Sequence, residues 1–185
     1  MGAADGTEEY KIRRYQMRER IFQQEIRDSV LTLWPSAFYH KLTDTPIFKG
    51  SKIRFSHPKP FDCFFVIGGV FYALELKQFR ENAPIPFTIV KPHQIEGLLG
   101  AERGGGTAYI LINYRTTAEK SGKAINQAIA IRPELWKKVK ETAKSLSASS
   151  LRFEQIKQWM FSSVEIERIT IEGKRVWNLI PLLKR

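Results

Sequence analysis

The sequence predicts a layered domain of the α/β or α+β class, with helices packed on a central sheet. Three observations carry this. Apolar residues recur at helical spacing over residues 10–34. Two strand-like arms, Phe61–Ile67 and Val70–Lys77, flank Gly68-Gly69. The apolar run Thr107–Asn113 then lies between two stretches of helical character, each opened by a proline.

In the first helix Phe22, Ile26, Val30 and Leu33 recur at spacings of four, four and three, and Pro35 stops it. Residues 1–9, small, polar and glycine-bearing, are expected to be disordered. Ala37–Lys41 follows as a short strand, then a loop with Asp44, Pro46 and Gly50, then a strand over Lys52–Ser56. Gly-Gly makes a favourable two-residue turn, so 61–77 reads as a β-hairpin. Pro84, Pro86 and Pro92 mark 81–92 as a loop, and Pro92 opens a helix to about Leu99. Thr107–Asn113 is of buried-strand type. Asn126–Ile131 is one more strand, and Arg132–Leu146 a helix with Pro133 at its start. Beyond a polar joint at 145–150, Leu151–Phe161 reads as a helix and Val164–Ile180 as a hairpin turning at Glu172-Gly173. Residues 10–150 are expected to form the main body and 151–185 an extension of the same domain.

With 185 residues the chain can bury one proper core. Its net charge of +11 predicts a polyanionic partner, nucleic acid first. No apolar run is long enough to span a bilayer and no signal peptide is visible, so no membrane association and a cytoplasmic location are expected. One cysteine, Cys63, excludes an internal disulfide and a thiolate zinc cluster. The run Gly104–Gly106 does not match a phosphate-binding loop, so no nucleotide cofactor is expected.

The pattern with chemistry is Asp62, twelve residues, then Glu75-Leu76-Lys77. Residues two apart on a strand share a face, so Glu75 and Lys77 point together, and the hairpin brings Asp62 back beside them. Paired carboxylates repel unless a cation lies between them, and hard oxygen donors suit Mg2+, with Mn2+ as substitute. A neighbouring lysine can stabilise charge developing on a phosphate. A solvated strand end could carry the same residues. The apolar run Val70–Leu74 ahead of Glu75 favours a site at a sheet rim. At about 100° per residue, Glu19 falls on the apolar face of the first helix, where a carboxylate needs a partner. A metal is one; Arg18 or Arg20 in water is the other. Glu25, off to one side, is the alternative helix ligand. Arg13, Arg14, Arg18, Lys52 and Lys59 are candidate phosphate contacts.

Phe61-Asp62 with Leu74-Glu75-Leu76-Lys77, then Ile85-Pro86-Phe87, Pro92-His93-Gln94-Ile95-Glu96 and Gly105–Ile112, resemble in order the motifs of the RecU-type Holliday junction resolvases, with kinship to the archaeal Hjc enzymes. The likeness spans about residues 14–140 and is most specific over 61–112. It implies a PD-(D/E)XK nuclease core over 10–150, with a restriction-endonuclease-like mixed sheet flanked by helices, and an extra C-terminal helix and hairpin. It further implies Glu19, Asp62 and Glu75 as metal ligands, Lys77 supporting the attacking water, Gln94 assisting, and a homodimer that nicks four-way DNA junctions symmetrically. Two departures stand out. Phe79 replaces the usual threonine, and the stalk region, about Pro46–Lys59, is short. Another nuclease on the same core, for repair or site-specific cutting, and a non-catalytic DNA-binding protein are the competing readings.

Overall fold

The computed structural model describes residues 20–43, 46–49, 52–55, 58–80, 84–116, 126–159 and 163–183. Over 46–49 and 52–55, and at Arg80 and Trp159, only the backbone is described. The expected disorder of 1–9 lies outside these residues.

Helix α1 is described over 20–33 and ends before Pro35, as its missing N–H requires. Strand β1 (Phe38–Lys41) leads to the short hairpin β2 (Pro46–Lys49) and β3 (Lys52–Phe55). Strand β2 falls where the sequence predicts a loop; its Pro46 opens the strand, where no ladder donor is required. Strands β4 (Cys63–Ile67) and β5 (Val70–Arg80) form the expected hairpin. Gly68 and Gly69 have φ of 56° and 75°, so both turn positions need the left-handed region that glycine enters freely.

Residues 84–91 form more regular structure than their prolines suggest. Ile85–Pro86 (β6) pairs with Ser150–Leu151 (β9), and a 3-10 turn follows at Phe87–Ile89. Helix α2 (Pro92–Arg103) runs a turn beyond the expected end at Leu99. Strands β7 (Thr107–Arg115) and β8 (Asn126–Ile131) precede helix α3 (Pro133–Ser145) and helix α4 (Phe153–Trp159).

The predicted C-terminal hairpin divides in two. Strand β10 (Val164–Ile166) joins the main sheet beside β8, while β11 (Arg168–Ile171) and β12 (Lys174–Trp177) pair only with each other. Pairing with β8 satisfies β10's backbone groups, which a three-residue segment could not do alone.

The main sheet has the order β1-β4-β5-β7-β8-β10 and is mixed, because β5 and β7 run parallel while the other neighbours are antiparallel. The parallel pair requires a crossover, supplied by α2. Each face of the sheet carries its own core. On one, α2, α3 and α4 cover Ala73, Phe79, Ile110 and Ile112 through Leu98, Trp136 and Ile156. On the other, α1 packs Phe22, Ile26 and Val30 against Phe65, Leu74 and Leu76, together with Trp177, Leu179 and Leu182. The chain after residue 150 therefore contributes to both cores, with Trp177 fully buried edge-on to Phe22 at 5.8 Å.

Candidate active site

The β4–β5 register pairs Cys63 with Leu74, so one further step sets Asp62 opposite Glu75. The backbone of Asp62 is held on both sides. Its N–H donates to Leu74 O at 3.1 Å, and its carbonyl accepts from Leu42 N at 2.9 Å. Strand β5 continues past the start of β4, which leaves the Leu76 N–H beyond the strand ladder. Asp62 Oδ2 accepts that proton at 2.8 Å. The carboxylate is thus pinned against β5, and Asp62 is buried.

Alternation along β5 puts Phe71, Ala73, Glu75, Lys77 and Phe79 on one face. Lys77 Nζ lies 2.6 Å from Glu75 Oε1. The same oxygen accepts from Gln94 Nε2, also at 2.6 Å. Gln94 is the third residue of α2, and its Oε1 accepts the Lys91 N–H at 2.8 Å, the return bond of a capping box. That bond fixes which end of the amide is the acceptor, so the NH2 group must face Glu75. The second carboxylate oxygen, Glu75 Oε2, is buried without a hydrogen-bond partner.

A fully buried carboxylate with one vacant oxygen is a poor anion. Burial, and then the neighbouring Asp62 charge, raise the Glu75 pKa from 4.5 to about 7; Lys77 opposes this. Helix α2 is held close because Gly97 lies against Pro60, immediately before Phe61-Asp62. A Cβ on Gly97 would come within 2.4 Å of the Pro60 Cβ.

The structure thus brings together Asp62, Glu75, Lys77 and Gln94. Lys59 joins them, its Nζ 2.5 Å from Asp62 Oδ1, and so stands at the site's anionic centre. The sequence expectation gave Lys59 to the DNA backbone and missed this ion pair; the i,i+3 spacing across Pro60 was the available signal. Glu19, Arg13, Arg14 and Arg18 lie outside the described residues, as does the Lys52 side chain.

Glu25, the alternative helix ligand, is committed elsewhere. Both its oxygens accept from Arg115 Nη2, at 2.8 and 2.6 Å. Arg168 Nη1 lies 3.3 Å away, and Trp177 Nε1 donates at 3.1 Å. Glu25 thus acts as a clamp between α1, β7 and the β11–β12 hairpin, and its oxygens are engaged away from Asp62 and Glu75.

Cys63 is buried on the face away from Glu75, and burial pushes its thiol up to about 12, so it is an inert core residue. His93 and His40 are both exposed.

The donor set fits a hard divalent cation. It offers two buried carboxylates with an open oxygen on Glu75, and among the described residues their hydrogen-bond and ion-pair partners are lysines, an amide and a backbone N–H. Asp62 and Glu75 would hold such an ion. Among the described residues no cluster of three or more His, Cys, Asp or Glu side chains is present, so two carboxylates are what this part of the chain supplies.

No known protein-family profile matches the chain, and no curated protein matches it. Among solved structures it is similar to Hjc from Archaeoglobus fulgidus, a Holliday junction resolvase from an archaeal hyperthermophile. That match has 18% identity, covers 61% of this chain and 78% of that one, and has a TM-score of 0.38. No described helix is long and apolar enough to cross a membrane.

Proposed function

We propose that this protein is a metal-dependent DNA endonuclease of the PD-(D/E)XK type, acting on branched DNA as a Holliday junction resolvase. The observation that carries the hydrolytic reading is the buried Glu75, its Oε2 without a partner, opposite Asp62 and salt-bridged to Lys77. Such a group is costly as a structural element and well suited to receiving a cation. The net charge of +11 supports a phosphodiester polyanion as substrate.

A bound Mg2+ would supply Lewis acidity toward a phosphate oxygen and an acidified water. The protein's own groups do the rest. The Leu76 N–H holds the Asp62 carboxylate in place, and Gln94 holds that of Glu75. The Lys77 ammonium stands where negative charge grows on the scissile phosphate during in-line attack by water. Water adds to phosphorus, the P–O bond to one sugar oxygen breaks, and the products are a phosphate monoester and a hydroxyl. Glu19 is the candidate third carboxylate, and a homodimer would place two such sites for paired nicks.

The junction preference rests on the ordered motifs from Phe61-Asp62 to Gly105–Ile112 and their likeness to the RecU and Hjc resolvases. A repair or site-specific endonuclease would use the same centre. Asp62→Asn tests the hydrolytic reading. Cleavage should be abolished while DNA affinity in chelator stays within about twofold; retained cleavage would overturn it.

A further inference from the structure

One part of the catalytic face lies beyond the helices. Helices α2, α3 and α4 cover β5, β7 and β8, whereas β1 and β4 present an aromatic strip on the same side of the sheet. The β1–β4 register sets Phe38 opposite Val66 and His40 opposite Phe64, and Phe64 in turn lies opposite Ala73 of β5. Phe38 is 59% exposed and His40 is exposed, while Phe64 and Phe71 are half-buried. The Phe38 and His40 rings are parallel within 7°, their centroids 6.3 Å apart. Phe64 lies 6.0 Å from Phe38 and 5.5 Å from His40, and it stacks on Phe71 at 4.8 Å.

A large aromatic ring standing in water on an edge strand gains nothing for the fold and exposes the edge to association. This strip is continuous with the proposed active site. Phe71, Ala73, Glu75 and Lys77 alternate along one face of β5, and at about 3.3 Å per residue Phe71 is roughly 13 Å from Glu75. Phe64, opposite Ala73, is about half as far along the strand. Phe38 and His40 lie two strands across from β5, about 10 Å to its side at about 4.8 Å per strand, so the strip begins within about two or three nucleotides of the centre.

We propose that Phe38, His40 and Phe64 form a stacking platform for an unpaired base of the DNA strand, next to the phosphate being cleaved. The inference rests on the nuclease reading and adds the substrate feature it recognises: bases out of the duplex stack, as at a branch or fork. Charge complementarity points to this occupant: the chain carries a net charge of +11, and exposed Lys91 at the head of α2, on the Glu75 face, suits a phosphate backbone. The parallel rings of Phe38 and His40, with Phe64 tilted 47° and 41° to them, accept any base, since every base has a π-face.

The test uses the full chain in chelator, so that nothing is cleaved, and fluorescence anisotropy with labelled oligothymidylate and a blunt duplex of equal length. Phe38→Ala and His40→Ala should each weaken oligothymidylate binding about 5- to 100-fold. Duplex affinity should stay within about twofold, and Phe38→Trp should restore the single-strand affinity. Equal losses on both DNAs, or no loss on either, would overturn the platform. So would unchanged DNA binding with a shift of the variant toward monomer in sedimentation, which would assign the strip to a second copy. The nuclease reading fails separately, by the absence of metal-dependent cleavage in the wild type, and that result leaves the Phe38 binding data interpretable on their own.

Discussion

Replacing Glu75 by glutamine should stabilise the metal-free protein above neutral pH. Glu75 is fully buried and its Oε2 has no partner, and burial followed by the Asp62 charge raises its pKa from 4.5 to about 7. The folded state therefore holds this proton more tightly than the unfolded state does. The resulting stabilisation is complete below about 4.5 and is lost as pH rises through about 7. At about 1.4 kcal/mol per pH unit, that interval corresponds to about 3 kcal/mol. In Glu75→Gln the amide oxygen can still accept from Gln94 and Lys77, and no charge is left at position 75 to desolvate. Urea unfolding in chelator, from pH 5 to 8.5, should show the wild type losing about 3 kcal/mol relative to the variant as pH rises. Every other residue is shared by the two proteins, so the difference isolates Glu75. Saturating Mg2+ should restore the wild type at pH 8.5 and leave the variant unchanged. A wild-type minus variant difference that is flat across this range would refute the reasoning.

Three further outcomes follow from the packing. Gln94→Ala removes the acceptor of the Lys91 N–H and a donor to Glu75, so it should cost about 1–3 kcal/mol in urea unfolding. It should also move the rising limb of the pH–rate profile to higher pH, since losing a donor disfavours the carboxylate. Gly97→Ala drives a methyl into Pro60, so it should cost about 1–3 kcal/mol and lower cleavage by separating Gln94 from Glu75; unchanged cleavage would show that α2 does not position the site. Glu25→Ala leaves Arg115 and Arg168 without their carboxylate, so it should cost about 1–4 kcal/mol while titration calorimetry shows Mg2+ affinity unchanged; a lost metal site would return Glu25 to the ligand set.

Much of the site was legible because it depends on local rules. Strand alternation puts Glu75 and Lys77 together, the Gly68-Gly69 turn returns the chain, and the register then fixes Asp62 opposite Glu75. Gln94 required the resemblance, since a glutamine three residues after Lys91 carries no chemistry by itself; the Lys91 N–H bond that aims it became visible only in three dimensions. The misses share a physical cause. Glu25 finds its partners at 115, 168 and 177, and no periodicity in α1 announces them. The strands β6, β9 and β10 are two or three residues long and exist only through distant pairing. Helix α2 runs through Gly97 and Gly100, which look like a stop in sequence, because Gly97 is where Pro60 is received.

The central claim, metal-dependent cleavage of branched DNA at the Asp62–Glu75–Lys77 centre, is tested most directly by incubating the full chain with a mobile four-way junction, a fork and a linear duplex, in Mg2+ and in chelator. The account predicts paired symmetric nicks in the junction with Mg2+ alone, and none with Asp62→Asn. Tight junction binding without cleavage in Mg2+ or Mn2+ would contradict it.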